Sequence, residues 1–173
     1  YTGIQYMRIW DTGVSGRARN YFFQCFLATS VLLIILVVQD AILGVAIIVA
    51  VASSAFTVFV VPNSVASIPR KVIGGHAVSV VTGTVFAAIL LIPPVLSLAA
   101  DARYVLDLFA ALAVGFGMLI MTLTDTEHPP AAGTALGLVI HDWSMGAVGF
   151  IMLSALLLSA IRIALRPWLI DLL

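Results

Sequence analysis

The sequence predicts an all-α, polytopic membrane protein with about six membrane segments, five long and one short. Two observations carry this. Of 173 residues, 62% are hydrophobic and 9% charged, against about 25% charged in soluble domains, and the mean hydropathy is +1.19. The apolar residues fall in runs of membrane-crossing length separated by brief polar or proline-bearing turns. A backbone in lipid must satisfy its own polar groups, and within single apolar segments only helices do so.

Residues 1–20 read as an interfacial lead-in, and 21–173 as the transmembrane domain. Ile4, Met7, Ile9 and Trp10 suit the headgroup layer, with Arg8, Arg17 and Arg19 toward anionic lipid. A plain tether fits equally, since Gly13 and Gly16 disfavour a continuous helix. No apolar core with a small-residue cleavage site follows promptly, so a cleavable signal peptide is not expected. Cys25 stands alone, so no internal disulfide forms.

The first span is 21–38, followed by a tight break at Gln39-Asp40. The second, 41–61, carries Ala46, Ala50 and Ser54 at four-residue spacing, a small stripe suited to close helix packing. The third, 72–92, repeats the stripe at Gly75, Ser79 and Gly83 and places His76 about a turn inside. Ionisable groups at such depth face protein or a water-filled cavity; the alternative is a neutral histidine bonded to a neighbouring carbonyl. Pro93-Pro94 end that span and 95–101 reads as a loop. Arg103 and Asp107, four apart, suit a helix-surface pair at the start of the fourth span, 104–123. The last span is 145–165, with Arg162, Arg166 and Trp168 at its end.

Between the fourth and last spans lies the most informative stretch, TLTDTEHPPAAGTALGL, 122–138. Two carboxylates, Asp125 and Glu127, precede His128-Pro129-Pro130, and the prolines can begin a helix but not continue one. About ten apolar residues follow, 131–140, too few for an ordinary span. This helix therefore starts inside the protein. Pro129 and Pro130 lack N–H groups, which leaves the amides of Ala131, Ala132 and Gly133 as first-turn donors toward an anion. Arg70 and the helix start at Gly74 and Gly75 offer a second set, and Thr124 and Thr134 add hydroxyls.

Two separated motifs resemble those of the HPP family of integral membrane proteins. One is His128-Pro129-Pro130; the other is Ser67, Pro69-Arg70, Gly74-Gly75-His76 and Ser79 in that order. The likeness covers roughly 56–140. Members are usually described with four spans, fewer than the six read here. Some are nitrite transporters of chloroplast or cyanobacterial type, so the resemblance implies nitrite as substrate.

If 131–140 crosses the membrane, seven of the eight Lys and Arg residues share one side, with Arg103 opposite; if it turns back as a re-entrant hairpin, the split is five against three. The positive-inside tendency then places both termini in the cytoplasm or stroma, in a prokaryotic inner membrane or a chloroplast envelope. The expected function is transport of a small inorganic anion, not an enzyme, with no cofactor or metal. Arg70, Gly74, Gly75, His76, Thr124, His128, Ala131, Ala132, Gly133 and Thr134 would line the site, and Asp125 and Glu127 would tune its charge. A net charge of zero argues against nucleic acid as partner. The small stripes suggest a homo-oligomer, dimer before trimer. Two alternatives remain: a structural or assembly subunit, and a metalloenzyme using His76, Asp125, Glu127 and His128.

Overall fold

A computed structural model describes residues 14–39, 45–141 and 143–172. The lead-in over 1–13, Asp40 of the first break, and Asp142 lie outside the described residues. The described chain is helical throughout: α1 (Val14–Gln39), α2 (Val45–Val60), α3 (Pro69–Leu90), α4 (Pro93–Asp101), α5 (Arg103–Leu123), α6 (Ala132–Ile140) and α7 (Met145–Leu165). Among the described residues, three helical stretches are long and apolar enough to cross a membrane: Pro69–Leu90, Arg103–Leu123 and Met145–Trp168. Ile47–Val60 and Pro129–Ile140 are shorter apolar helices.

Three boundaries and one expected contact differ from the sequence reading. Helix α1 begins at Val14 and runs through Gly16, because one glycine costs a helix only about 1 kcal/mol. Helix α3 begins at Pro69, so His76 lies two turns inside. Residues 93–101 are a helix, not a loop: Pro93 and Pro94 occupy its first two positions, where the missing N–H groups have no helical partner to lose. No ion pair joins Arg103 to Asp107, and Tyr104 beside them is exposed.

The short helix is the centre of the packing. Helix α6 lies against α2, α3 and α5, and α3 also packs on α5 and α7. Its Ala135 and Val139 join Leu90, Ala110 and Ala113 in one apolar cluster. Its Leu138 meets Ile47, Ala147 and Ile151 in another. Nine residues rise about 14 Å, so α6 is a plug within the bundle rather than a wall of it.

Side chains without bulk permit this insertion. A Cβ on Gly75 would stand 2.7 Å from the Cβ of His128 and 2.9 Å from the carbonyl oxygen of Thr126. One on Gly83 would stand 3.0 Å from the Ala135 carbonyl, and one on Gly133 3.1 Å from the Cβ of Ala50. The small stripes therefore serve packing within the chain, α3 on α6 and α2 on α6. Ser79, between the two glycines of α3, is also buried.

Hydrogen bonds gather four segments at one end of the bundle. Gln24 of α1 donates to the carbonyls of Phe59 and Ile170, and the Leu172 amide bonds the Val60 carbonyl at 2.9 Å. Arg162 of α7 donates through Nε and Nη2 to the Pro62 carbonyl at 3.0 and 2.6 Å. The turn after α2, the turn after α5 and the C-terminal tail share this end, where Arg70 meets Asp125. The Trp143 indole, bonded to Thr84 at 2.9 Å, belongs to the opposite end with α4.

Gly75→Ala is expected to lower the thermal unfolding temperature in detergent, with a loss of about 1–3 kcal/mol from forced backbone movement. Gly115→Ala is the control. Its Cβ meets nothing within 4 Å, so the helix should hold or gain up to about 1 kcal/mol. Equal behaviour of the two variants would mean that α3 does not touch the turn this closely.

Candidate functional site: a buried histidine pair beside a charged turn

The site begins with the way α5 stops. Asp125 has φ 54°, the left-handed region, and the Thr126 amide reaches back to the Met121 carbonyl at 2.9 Å. That is a Schellman closure, with aspartate where glycine is usual. The backbone then turns toward α3. His128 is extended, Pro129 and Pro130 start a 3-10 turn over Pro129–Ala131, and α6 follows.

The turn carries His128 against Gly75 and beside His76, with ring centroids 5.3 Å apart. Both histidines are about 1% exposed. Between them stands Ser54 of α2, itself buried. Its Oγ lies 2.8 Å from His76 Nε2, 2.9 Å from His128 Nε2 and 3.0 Å from the Ala50 carbonyl. The outer ring nitrogens are also engaged. His76 Nδ1 is 2.9 Å from Thr134 Oγ1, and His128 Nδ1 is 2.8 Å from the Ala66 carbonyl. Three helices and two turns thus meet in one hydrogen-bonded string.

Charge is held apart from this string. Lys71, buried at the start of α3, bonds Asp125 Oδ1 at 2.8 Å and also Glu127 Oε2, and Arg70 pairs with Asp125 at 3.3 Å. Hydrogen bonding to Lys71 holds both carboxyls below their usual range. For His128, burial dominates and pulls the ring down to about 4, against the Ala66 carbonyl, which favours the charged form.

The structure brings His76, His128 and Thr134 together, three residues expected at the site. Others are placed differently. Arg70 is exposed and donates to the Thr124 carbonyl at 3.1 Å. Thr124 Oγ1 turns to Ile120 and Thr126. The Ala131 amide bonds the His128 carbonyl at 2.9 Å, and the Ala132 amide bonds the Pro129 and Pro130 carbonyls, so neither is a free donor. Gly74, Gly75 and Gly133 face Thr126, His128 and Ala50 rather than open space. The expected anion cradle of helix-start amides is therefore filled by the protein itself. Glu127 and Asp125 point to Lys71 rather than to the histidines, and among the described residues no three His, Cys, Asp or Glu side chains gather as a metal site would need.

Sequence reading missed Ser54, which it placed in a packing stripe. It also missed the continuation of the buried polar face along α3 through Ser79 and Thr82. Ser79 Oγ has no hydrogen-bond partner. The available signal was the polarity of the α2 end, Ser53, Ser54 and Thr57, within an otherwise apolar run. A cavity of about 210 Å³ beside this string is lined by Met118, Met121, Thr122, Glu127, His128 and Pro129, among others.

Comparison with known proteins agrees with this architecture. The sequence model described as "HPP, transmembrane region" matches residues 14–171. A transmembrane protein of Dictyostelium discoideum is 35% identical over 85 residues, 49% of this chain and 27% of that protein. The chain thus matches little more than a quarter of that relative's length. No solved structure matches.

The pKa directions fix how stability responds to acid. His128 has a folded value below its ordinary 6.5, so its contribution is complete above about 6.5 and is lost as pH falls toward 4. That loss is on the order of 3 kcal/mol. The carboxyls, also depressed, contribute above their ordinary values and lose this only at lower pH still. Thermal unfolding followed from neutral pH downward should therefore weaken in two stages. His128→Asn should weaken the upper stage, leaving the part due to the equally buried His76, and Lys71→Gln should weaken the lower one. A single stage untouched by His128→Asn would contradict the burial of that ring.

Proposed function

The chain belongs to the HPP family of transmembrane proteins, and from that premise we propose that it is a transport domain for a small inorganic anion, nitrite by the family resemblance. The observation that supports this best is the polar face buried along α3. Lys71, His76, Ser79 and Thr82 of this one helix are all at most 7% exposed. Residues 71 to 82 cover about 16 Å of helix, roughly half of a ~30 Å hydrocarbon core. Polar groups at that depth mark solute pathways more often than packing.

In this reading Arg70 and Lys71 attract the anion at the charged end, where their exchange with Asp125 and Glu127 acts as a gate. The solute then passes to His128, His76 and Thr134. The cavity beside His128 supplies the approach. The helix-start amides serve as structure, because their hydrogen bonds are made within the turn. An enzyme is not part of this proposal.

A second reading, a structural subunit with no solute, has its own support. Each histidine nitrogen has a partner, and the contact of Gly75 with the turn is tight. A network complete in itself needs no ligand.

We further propose six crossings in one membrane with both termini on the cytoplasmic or stromal side, and a homo-oligomer, dimer before trimer, that shields α5 from lipid. Cysteine labelling tests the topology: Ser64→Cys and Asp142→Cys should react from opposite sides, and reaction from the same side refutes six crossings.

Liposomes containing only the purified chain decide the function. Uptake of nitrite, nitrate or chloride above protein-free vesicles is expected, reduced at least tenfold in His128→Ala, a loss equivalent to about 1.4 kcal/mol or more in the barrier. No uptake of any of the three by folded protein would leave the structural reading.

A further inference from the structure

The contacts of one hydroxyl couple the protonation of two histidines. A serine hydroxyl offers one donor and two acceptor positions. Ser54 Oγ has three partners, and one of them, the Ala50 carbonyl at 3.0 Å, can only accept. When that bond is made, both imidazole Nε2 atoms must be donors to Ser54. His128 Nδ1 faces the Ala66 carbonyl at 2.8 Å, so it too is an N–H. His128 then carries two protons and is a cation, while His76 remains neutral with Nδ1 accepting from the Thr134 hydroxyl.

Removing that proton requires one change. The Ser54 hydroxyl turns from Ala50 to His128 Nε2, and every other bond is kept. A third arrangement places the extra proton on His76, with Nδ1–H donating to Thr134, Nε2–H donating to Ser54, and Ser54 donating to His128. From the third arrangement the charge passes to His128 without an outside reagent, leaving His76 as its Nδ1–H tautomer with Nε2 accepting from Ser54, the other neutral tautomer from that of the first arrangement. The His76 Nε2–H bond breaks as that hydrogen joins Ser54 Oγ, and the Ser54 O–H bond breaks as its hydrogen joins His128 Nε2. The positive charge moves from one ring to the other, and His76 keeps its Nδ1 proton.

We infer that Ser54, His76 and His128 form a one-proton site in which the Ser54 hydroxyl relays the proton, and that the transported anion crosses together with that proton. The second half rests on the transport reading above; the first does not. One proton is the limit because two cationic rings with centroids 5.3 Å apart would share a sealed interior. The other charged groups around the pair do not balance it. Arg70 and Lys71 on α3 are matched to Asp125 and Glu127 in the turn. Arg162 on α7 is held on the Pro62 carbonyl. Helices α2 and α6 carry no charged residue, and those of α5, Arg103 and Asp107, lie at its opposite end. A buried cation without a counter-charge is costly, and a small anion beside His128 supplies one. Ser79, one turn further along α3, is buried with a hydroxyl that has no partner.

The test uses the full chain in liposomes with nitrite as probe, protein-free vesicles as blank, and a membrane potential set by potassium and valinomycin. One proton with one anion carries no net charge. Uptake should therefore be unchanged by potentials of either sign and should rise up to about tenfold per unit of external acidification. Ser54→Ala should flatten that pH dependence, and Ser54→Thr should restore it. Nitrite uptake that follows the potential and ignores pH overturns the coupling and leaves the transport reading standing. If nitrite does not move at all, the transport reading fails and the coupling with it. The proton site is then decided by nitrogen-15 spectra of the histidines in the purified chain, from about pH 7 to about pH 3. Read in a His141→Gln background, one imidazolium shared by His76 and His128 and shifted in Ser54→Ala supports the relay; two or none overturns it.

Discussion

The close contact between Gly75 and the turn at Thr126 and His128 is the constraint on which the rest of the bundle depends. Without a side chain at Gly75, α3 comes near enough for His128 to pass beneath it and meet His76. With that contact made, the prolines aim α6 into the space between α2, α3 and α5. The glycines and alanines along this path are not free in energy, since each lowers helix propensity or buried area. In lipid, where apolar burial does not drive helices together, backbone proximity is what such residues gain.

That insertion sets up a division of charge. A turn bearing two carboxylates at the mouth of a helical bundle would repel itself, and Lys71 and Arg70 resolve this by pairing with both. The histidines, turned inward from that layer, are left among hydroxyls and carbonyls. The result is an outer layer of matched ions and an inner layer of neutral polar groups. A cluster of this kind costs little when each hydrogen bond is made and becomes sensitive to any proton or ion that enters.

In the transport reading, stability and function would draw on the same residues. His128 closes the turn, touches Gly75 and holds Ser54, yet it also borders the cavity that reaches the outside of α5. Movement of the turn would break the Lys71 pairs and uncover the histidines together, which links opening at the charged end to the interior chemistry. Arg162 anchors the other side of that end by holding the turn after α2 through Pro62.

Length and hydropathy determined much of this protein. The long helices α3, α5 and α7, the half-length of α6 and the prolines that begin it are legible because lipid admits few alternatives for an apolar backbone. The sequence also singled out His76, His128 and Thr134, which the fold brings together, since polar groups are rare enough in such runs to stand out. It could not show that Ser54 bridges two histidines separated from it by 22 and 74 residues. Nor could it show that the amides of Ala131 and Ala132 are already bonded, or that Arg70 turns outward to Asp125. Spacing along one helix fixes which residues share a face. Which face meets which, and whether a donor finds its partner inside the protein or in a solute, is decided by packing between helices distant in sequence. Only the tertiary structure settles that.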